Sequence, residues 1–209
     1  MKRVLLIALC AMAMISCSRG YKFEVVANVG YPNSTFYLSP MSQPGTYYVG
    51  AESDGDGIVR FEGRSEYPMA VGISDGLVMV AGPFFLEEGS IVVERLADNP
   101  KVALAHGTPS NDAYIDYLAQ LQQASRMFDT IQEPSDSVMS QMRIVFDSLD
   151  RAAEEANYGN FLGLYFFVSD GIHRYSTRAE VDSVVSLFAP ELREHPYMVD
   201  ALQAFEEVK

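Results

Sequence analysis

The chain has 209 residues, 48% of them hydrophobic, enough for a sizeable core in one or two domains. Its 28 acidic residues outnumber 15 basic ones and give a net charge of −13, which excludes nucleic-acid binding driven by counterion release and sets the chain against anionic headgroups. Cysteine occurs twice, at Cys10 and Cys17, and tryptophan is absent.

Met1, Lys2 and Arg3 make a short basic start, followed by an uninterrupted apolar run from Val4 to Ile15. Twelve residues are too few to span a bilayer as a stable helix, which takes about 20, but they suit the apolar core of a secretory signal. The run ends Met14-Ile15-Ser16-Cys17, which resembles a bacterial lipobox with Met where Leu is commoner. The expectation is that residues 1–16 are a lipoprotein signal peptide removed together with Cys10. Cys17 then becomes the mature N-terminus and carries the lipid, palmitate-type acyl chains included. The alternative is an ordinary secretory signal, with Cys17 incidental. On the lipoprotein reading residues 17–22 are a short tether and the mature chain has no free thiol. Thiol nucleophiles, disulfide exchange and cysteine-ligated metals are then excluded within it. Loss of Lys2 and Arg3 takes the net charge to −15, so the lipid rather than a basic patch holds the protein at a membrane. Ser18 in place of aspartate favours the outer membrane, and the lack of an acidic run after Cys17 favours a periplasm-facing position.

Residues 23–107 read as an antiparallel β domain, a sandwich or partly open barrel. Lys22–Val26, Thr35–Leu38, Gly57–Phe61, Leu77–Val80 and Ser90–Glu94 are short and rich in β-branched and aromatic residues. Turn clusters separate them, such as Tyr31-Pro32-Asn33-Ser34, Ser53-Asp54-Gly55-Asp56-Gly57 and Glu87-Glu88-Gly89.

From residue 108 to 209 the period becomes helical, and the spacing predicts a bundle of four to five α-helices, giving an α+β chain. The first holds Tyr114, Ile115, Leu118, Leu121, Met127 and Phe128 on one side, with Ser110 or Asn111 as its cap. The second begins near Pro134 and buries Val138, Met142, Val145, Phe146 and Leu149. Residues 159–170 are apolar all round and predict the most buried helix. Thr177 and Glu180 form a capping box for a helix through Val181, Val184, Val185 and Phe188, and a last helix starts at Pro196.

Four stretches carry a family resemblance: the strand pair within Phe23–Leu38, Asp54–Phe61, Phe84-Phe85-Leu86-Glu87-Glu88-Gly89-Ser90-Ile91, and Gly107-Thr108-Pro109-Ser110-Asn111-Asp112. They resemble the N-terminal module of Bacteroidetes lipoproteins known as the domain of unknown function 4369, with Glu88 where proline is usual. Asn160-Phe161-Leu162-Gly163 and Phe188-Ala189-Pro190-Glu191-Leu192 are similar to the segment that follows it. In many such proteins a thioredoxin-like domain with a Cys-x-x-Cys site comes next; here the chain stops at Lys209, where that domain would begin. The resemblance implies an envelope lipoprotein without the catalytic half.

Motifs with chemical content weaken on inspection. Gly72-Ile73-Ser74-Asp75-Gly76 matches the G-x-S-x-G nucleophile elbow, but the elbow needs a strand before it and a helix after it, and strand-like Leu77–Val80 follows. His173 or His195 follows in the order a triad needs, yet nothing in the sequence places either near Ser74. A hairpin turn is the expectation. Asp54-Gly55-Asp56-Gly57 hints at calcium, but Ile58 and Ser65 stand where further oxygen ligands belong. His106, His173 and His195 lack metal-ligand spacing, and Glu87–Glu88 fits a turn better than an acid–base pair. Tyr31, Phe36, Tyr37, Tyr47 and Tyr48 form either a stacking surface or ordinary core.

The expected function is a non-catalytic binding or assembly module without cofactor or metal, whose partners are the membrane through its lipid and an envelope protein or small ligand. The alternative is an accessory module of a thiol-disulfide relay that docks a separate thioredoxin-like protein. A serine hydrolase using Ser74 stands further off.

Overall fold

Phe23, Val25 and Ala27 are buried at alternate positions of the first strand, the period-two pattern of a strand with one face in a core. The computed structural model describes residues 20–207 apart from 44, 96–102, 130, 132 and 134. The expected signal peptide, Cys17 and Pro134 lie outside the described residues. Eight strands follow in chain order: β1 (Tyr21–Asn28), β2 (Thr35–Pro40), β3 (Val49–Glu52), β4 (Ile58–Ser65), β5 (Met69–Ser74), β6 (Met79–Leu86), β7 (Gly89–Arg95) and β8 (Ala103–His106). They form two four-stranded sheets, in the orders β4-β1-β7-β8 and β3-β2-β5-β6. Every pairing is antiparallel except β1 with β7, which run parallel with Val25 opposite Ile91. Phe23, Phe36, Leu38, Phe61, Ile73 and Phe84 fill the space between the sheets.

The helical half comprises α1 (Pro109–Arg126), α2 (Asp136–Ala156), α3 (Phe161–Ser169), a 3₁₀ turn (Gly171–Arg174), α4 (Arg178–Val185), the one-turn α5 (Pro190–Arg193) and α6 (Pro196–Glu207). The α+β class, with sheets first and helices after, is as the sequence predicts; α5 is the additional helix. As expected, α3 is the most buried, with Phe161, Leu162, Leu164 and Phe167 at or below 1% exposure. Gly163 lets it pack tightly: a Cβ there would come within 2.3 Å of the Asn157 carbonyl oxygen at the end of α2. The Thr177–Glu180 capping box is present in full.

Three sequence expectations are corrected. Leu77 and Val78 are not strand residues but the exposed turn between β5 and β6, because the Asp75 carboxylate accepts hydrogen bonds from both of their N–H groups, at 2.8 and 2.9 Å. Ser110 and Asn111 do not cap α1; Thr108 is the N-cap residue and both others lie buried in the first turn. Finally, Val138, Met142, Val145, Phe146 and Leu149 are half-buried rather than buried. α2 packs against both α1 and α3, and near its middle Phe146 faces Phe128 at 6.2 Å between ring centroids.

The two halves share one interface. Ala70 of β5 and Phe85 of β6 belong to the helical core rather than the sandwich core, and Phe85 meets Tyr114, Phe161 and Tyr165 edge to face. Buried His195, just before α6, reaches across to the sandwich, its Nε2 lying 2.8 Å from the Pro68 carbonyl oxygen. Its Nδ1 accepts the Tyr197 N–H at 3.1 Å, so the neutral ring donates through Nε2.

Burial holds the His195 imidazole below its ordinary 6.5. As pH falls the unfolded chain binds the proton first, so this contribution to stability is present above 6.5 and is lost as pH drops through the folded value. Thermal denaturation between about pH 7.5 and 5 is expected to show a steeper loss of melting temperature for the native chain than for His195→Gln, which keeps a donor to Pro68 but does not titrate. Parallel profiles would remove His195 from this role.

Candidate functional site

Two short polar segments, distant in sequence, meet where the halves join. β6 is the edge of its sheet, so among the described residues one side of its backbone has no neighbouring strand. The Asn111 carboxamide supplies what a strand would: its Oδ1 accepts from the Phe85 N–H at 2.8 Å and its Nδ2 donates to the Phe85 carbonyl at 2.7 Å. Nδ2 also donates to Thr108 Oγ1 at 2.7 Å. Two residues after Phe85, the buried Glu87 carboxylate accepts from the Ser110 N–H at 2.9 Å and from its hydroxyl at 2.8 Å. Glu87 thus satisfies α1's first turn from outside the helix, with its negative charge at the positive end of the dipole. The segments Phe84–Ile91 and Gly107–Asp112 are therefore the two sides of one structural joint. Glu87 and exposed Glu88 do not act as a pair. No local sequence signal marks Glu87 as a cap.

The elbow-like segment resolves into a β hairpin. Gly72, Ile73 and Ser74 end β5, the turn covers residues 75–78, and β6 begins at Met79. Ser74 Oγ accepts the Gly76 N–H at 2.9 Å. Both ring nitrogens of His195 are engaged elsewhere, as described above, and His173 stands exposed in the 3₁₀ turn. The structure brings neither to Ser74. The Asp54 carboxylate is likewise turned onto its own loop, accepting from the N–H groups of Asp56 and Ile58 at 3.0 and 2.9 Å. These bonds, Ile58's foremost, hold it below its ordinary 3.8. Among the described residues no group of three His, Cys, Asp or Glu is arranged to hold a metal.

What the hairpin does build is a cleft. The 41–48 loop folds over the outer face of the β2–β5 sheet, and the Tyr47 hydroxyl donates to the Gly76 carbonyl at 2.8 Å. The Tyr47 ring lies 4.5 Å from that of Tyr37. Between loop and hairpin opens a cavity of about 220 Å³, lined by Ser39, Met41, Tyr47, Ser74, Leu77 and Met79 among others. Ser39 is 5% exposed and its hydroxyl has no hydrogen-bond partner among the described residues. A buried hydroxyl without a partner carries a desolvation cost of about 1–3 kcal/mol, and a ligand group able to bond it would relieve that cost. The rim is apolar and open: Leu77 is 93% exposed, Val78 60%, and Tyr47 46%. The tyrosines of the sequence reading thus divide. Phe36 is core, Tyr31 is exposed, Tyr47 lines the cleft with the Tyr37 ring beside it, and the Tyr48 hydroxyl donates to the Arg64 carbonyl at 2.5 Å.

Two other concavities lie in the helical half. One, of about 200 Å³ between the 3₁₀ turn and α6, is lined by Ile172, Tyr175, Ala201 and Phe205. The other, of about 280 Å³, is bounded by Asp147, Asp150, Arg151, Asp170, His173 and Arg174. There Asp150 accepts the Tyr117 hydroxyl at 2.7 Å, and burial together with that carboxylate pushes the phenol up. Neither contains a nucleophile next to a base. Among the described residues no helix is long and apolar enough to cross a membrane.

Comparison with protein-family models, with curated proteins and with solved structures gives no match for this chain.

Proposed function

We propose that this chain is a non-catalytic lipoprotein of the cell envelope, anchored through a lipid on Cys17, and that the sandwich cleft is its binding face for a small ligand or partner protein. The observation that carries the binding role is the cleft itself: a buried Ser39 hydroxyl without a partner among the described residues, inside an apolar, solvent-open rim. Such a combination of apolar wall and one convergent polar group is what a binding pocket uses for affinity and orientation. Support for the anchor is the order of basic start, apolar run and small residue before Cys17. In this reading the neighbouring helices steady β5 and β6 from the other end of the same sheet face.

Expression with an alkyne-bearing palmitate analogue tests the anchor. The native chain should be labelled and sediment with membranes, and Cys17→Ala should be unlabelled; label on Cys17→Ala would overturn it. For the cleft, the lipidated protein is used to capture species from solubilised envelope. Retained species should be lost with Leu77→Asp, a change at a side chain too exposed to affect folding. Equal retention by native chain and variant would move the binding face elsewhere.

A further inference from the structure

In a chain with 28 acidic and 15 basic residues, charge is missing from one region: residues 31–51 contain no charged side chain, and residues 67–86 contain only Asp75. Those two segments are the ones that fold together around the cleft. Their exposed side chains include Met41, Tyr47, Tyr48, Leu77, Val78 and Met79. Large apolar side chains are seldom grouped on the surface of a protein unless something covers them. Asp75, exposed at the same turn, is the one charge there, and its Oδ1 accepts from the N–H groups of Leu77 and Val78.

The route of the chain says what covers this face. Gly20 is three residues from Cys17, a reach of at most ~11 Å. The Gly20 carbonyl accepts from Arg64 at 3.4 Å, the Arg64 carbonyl accepts from Tyr48, and the adjacent Tyr47 donates to Gly76 at the hairpin tip. The uncharged rim is therefore linked by consecutive hydrogen bonds to the point where the tether enters the fold. Lys22 and Arg64 sit opposite one another beside that point, cations suited to phosphate headgroups in an otherwise acidic protein. Tyrosines with an apolar body and a polar tip suit the layer between headgroups and acyl chains.

We propose that the rim formed by Met41, Tyr47, Tyr48, Leu77, Val78 and Met79 rests in the interfacial layer of the phospholipid bilayer to which Cys17 anchors the chain, so that the cleft opens toward lipid. This rests on the lipoprotein reading above for the anchor in the cell. The test supplies the anchor chemically, so the two can fail separately. Cys17 is the only cysteine of residues 17–209, which contain every described element, and can be coupled to a maleimide lipid in phosphatidylcholine vesicles. The chain has no tryptophan, so a single introduced one reports without background. Leu77→Trp is compared with Ile144→Trp, which sits at another exposed position, on α2.

On coupling, Leu77→Trp emission should move to shorter wavelength and lose roughly half its intensity when the acyl chains carry bromine, as for a ring seated ~5–10 Å into the headgroup–acyl boundary. Ile144→Trp should keep the spectrum of its uncoupled form. An unshifted, unquenched Leu77→Trp overturns the proposal. A blue shift without bromine quenching overturns it in favour of an apolar contact between protein copies. Quenching of both reporters overturns it by showing contact without a preferred face.

Discussion

Asn111→Ala is expected to lower the unfolding free energy by about 3 kcal/mol, because it strips the N–H and C=O of Phe85 of their partners at a buried strand edge. The loss has two parts. Each buried backbone group left unpaired costs about 1–3 kcal/mol, and no water reaches the position as Asn111 is 1% exposed. Asn111→Asp separates them. It keeps an acceptor for the Phe85 N–H but replaces the donor that serves the Phe85 carbonyl and Thr108. The aspartate variant should therefore fall between native and alanine, and should recover part of its loss on acidification, when the carboxyl can donate. Urea denaturation of the three chains at two pH values reads this directly. A loss under ~1 kcal/mol for Asn111→Ala would mean that the strand edge is satisfied in another way.

Arg174→Met is expected to cost about 3 kcal/mol at neutral pH, the low end for breaking a buried ion pair, since Arg174 keeps 22% of its side chain in water while Glu154 keeps none. Glu154 projects from α2 against Gly171, with Oε2 bonded to Arg174 and Oε1 without a partner among the described residues. A Cβ on residue 171 would press on Oε2 and on the Arg174 guanidinium, so glycine there gives the pair its room. Burial pushes the Glu154 carboxyl above its ordinary 4.5, against the opposing pull of Arg174. For an acid raised in this direction the folded state holds the proton longer. Its contribution to stability is present below 4.5 and is lost as pH rises through the folded value. Removing Arg174 should move that loss to higher pH, so the variant is weakest at neutral pH and regains stability on acidification. The double variant Glu154→Leu/Arg174→Met should recover most of the loss, as no buried charge remains. A pH-independent deficit in Arg174→Met would instead assign the effect to lost packing of the arginine stem.

Local pattern made much of this architecture legible. β1, β2, β4 and β7 announce themselves by β-branched and aromatic runs between turn residues, and α4 by its capping box. β5 does not, for a physical reason: Met69, Ala70, Val71, Gly72, Ile73 and Ser74 are all buried, so there is no polar face to alternate with. The same segment's Gly72 and Ser74 read as a turn because small residues stand where Met79 and the 41–48 loop pack over the sheet. Leu77 and Val78 failed in the opposite sense, as apolar residues at a turn whose exposure follows from Asp75 and not from their own type. The joint of Glu87 with Ser110 and Asn111 with Phe85 spans 23 and 26 residues, beyond the reach of any periodicity. The cleft was half legible. Ser74 stands out in the sequence through its G-x-S-x-G setting and the tyrosines through their clustering, whereas the Ser39 hydroxyl, without a partner among the described residues, emerges only when the fold sets it under the loop.

The place of β1 in its sheet also fixes how the fold would carry a load. It is an inner strand, bonded along one side to antiparallel β4 and along the other to parallel β7. A pull entering at Gly20 runs along the strand axis and meets both ladders in shear, so many hydrogen bonds resist together instead of parting one by one. A chain tethered by its first strand at the sheet edge would peel open under the same force. On the anchoring proposed above, the pull would enter at a strand held by a ladder on each side.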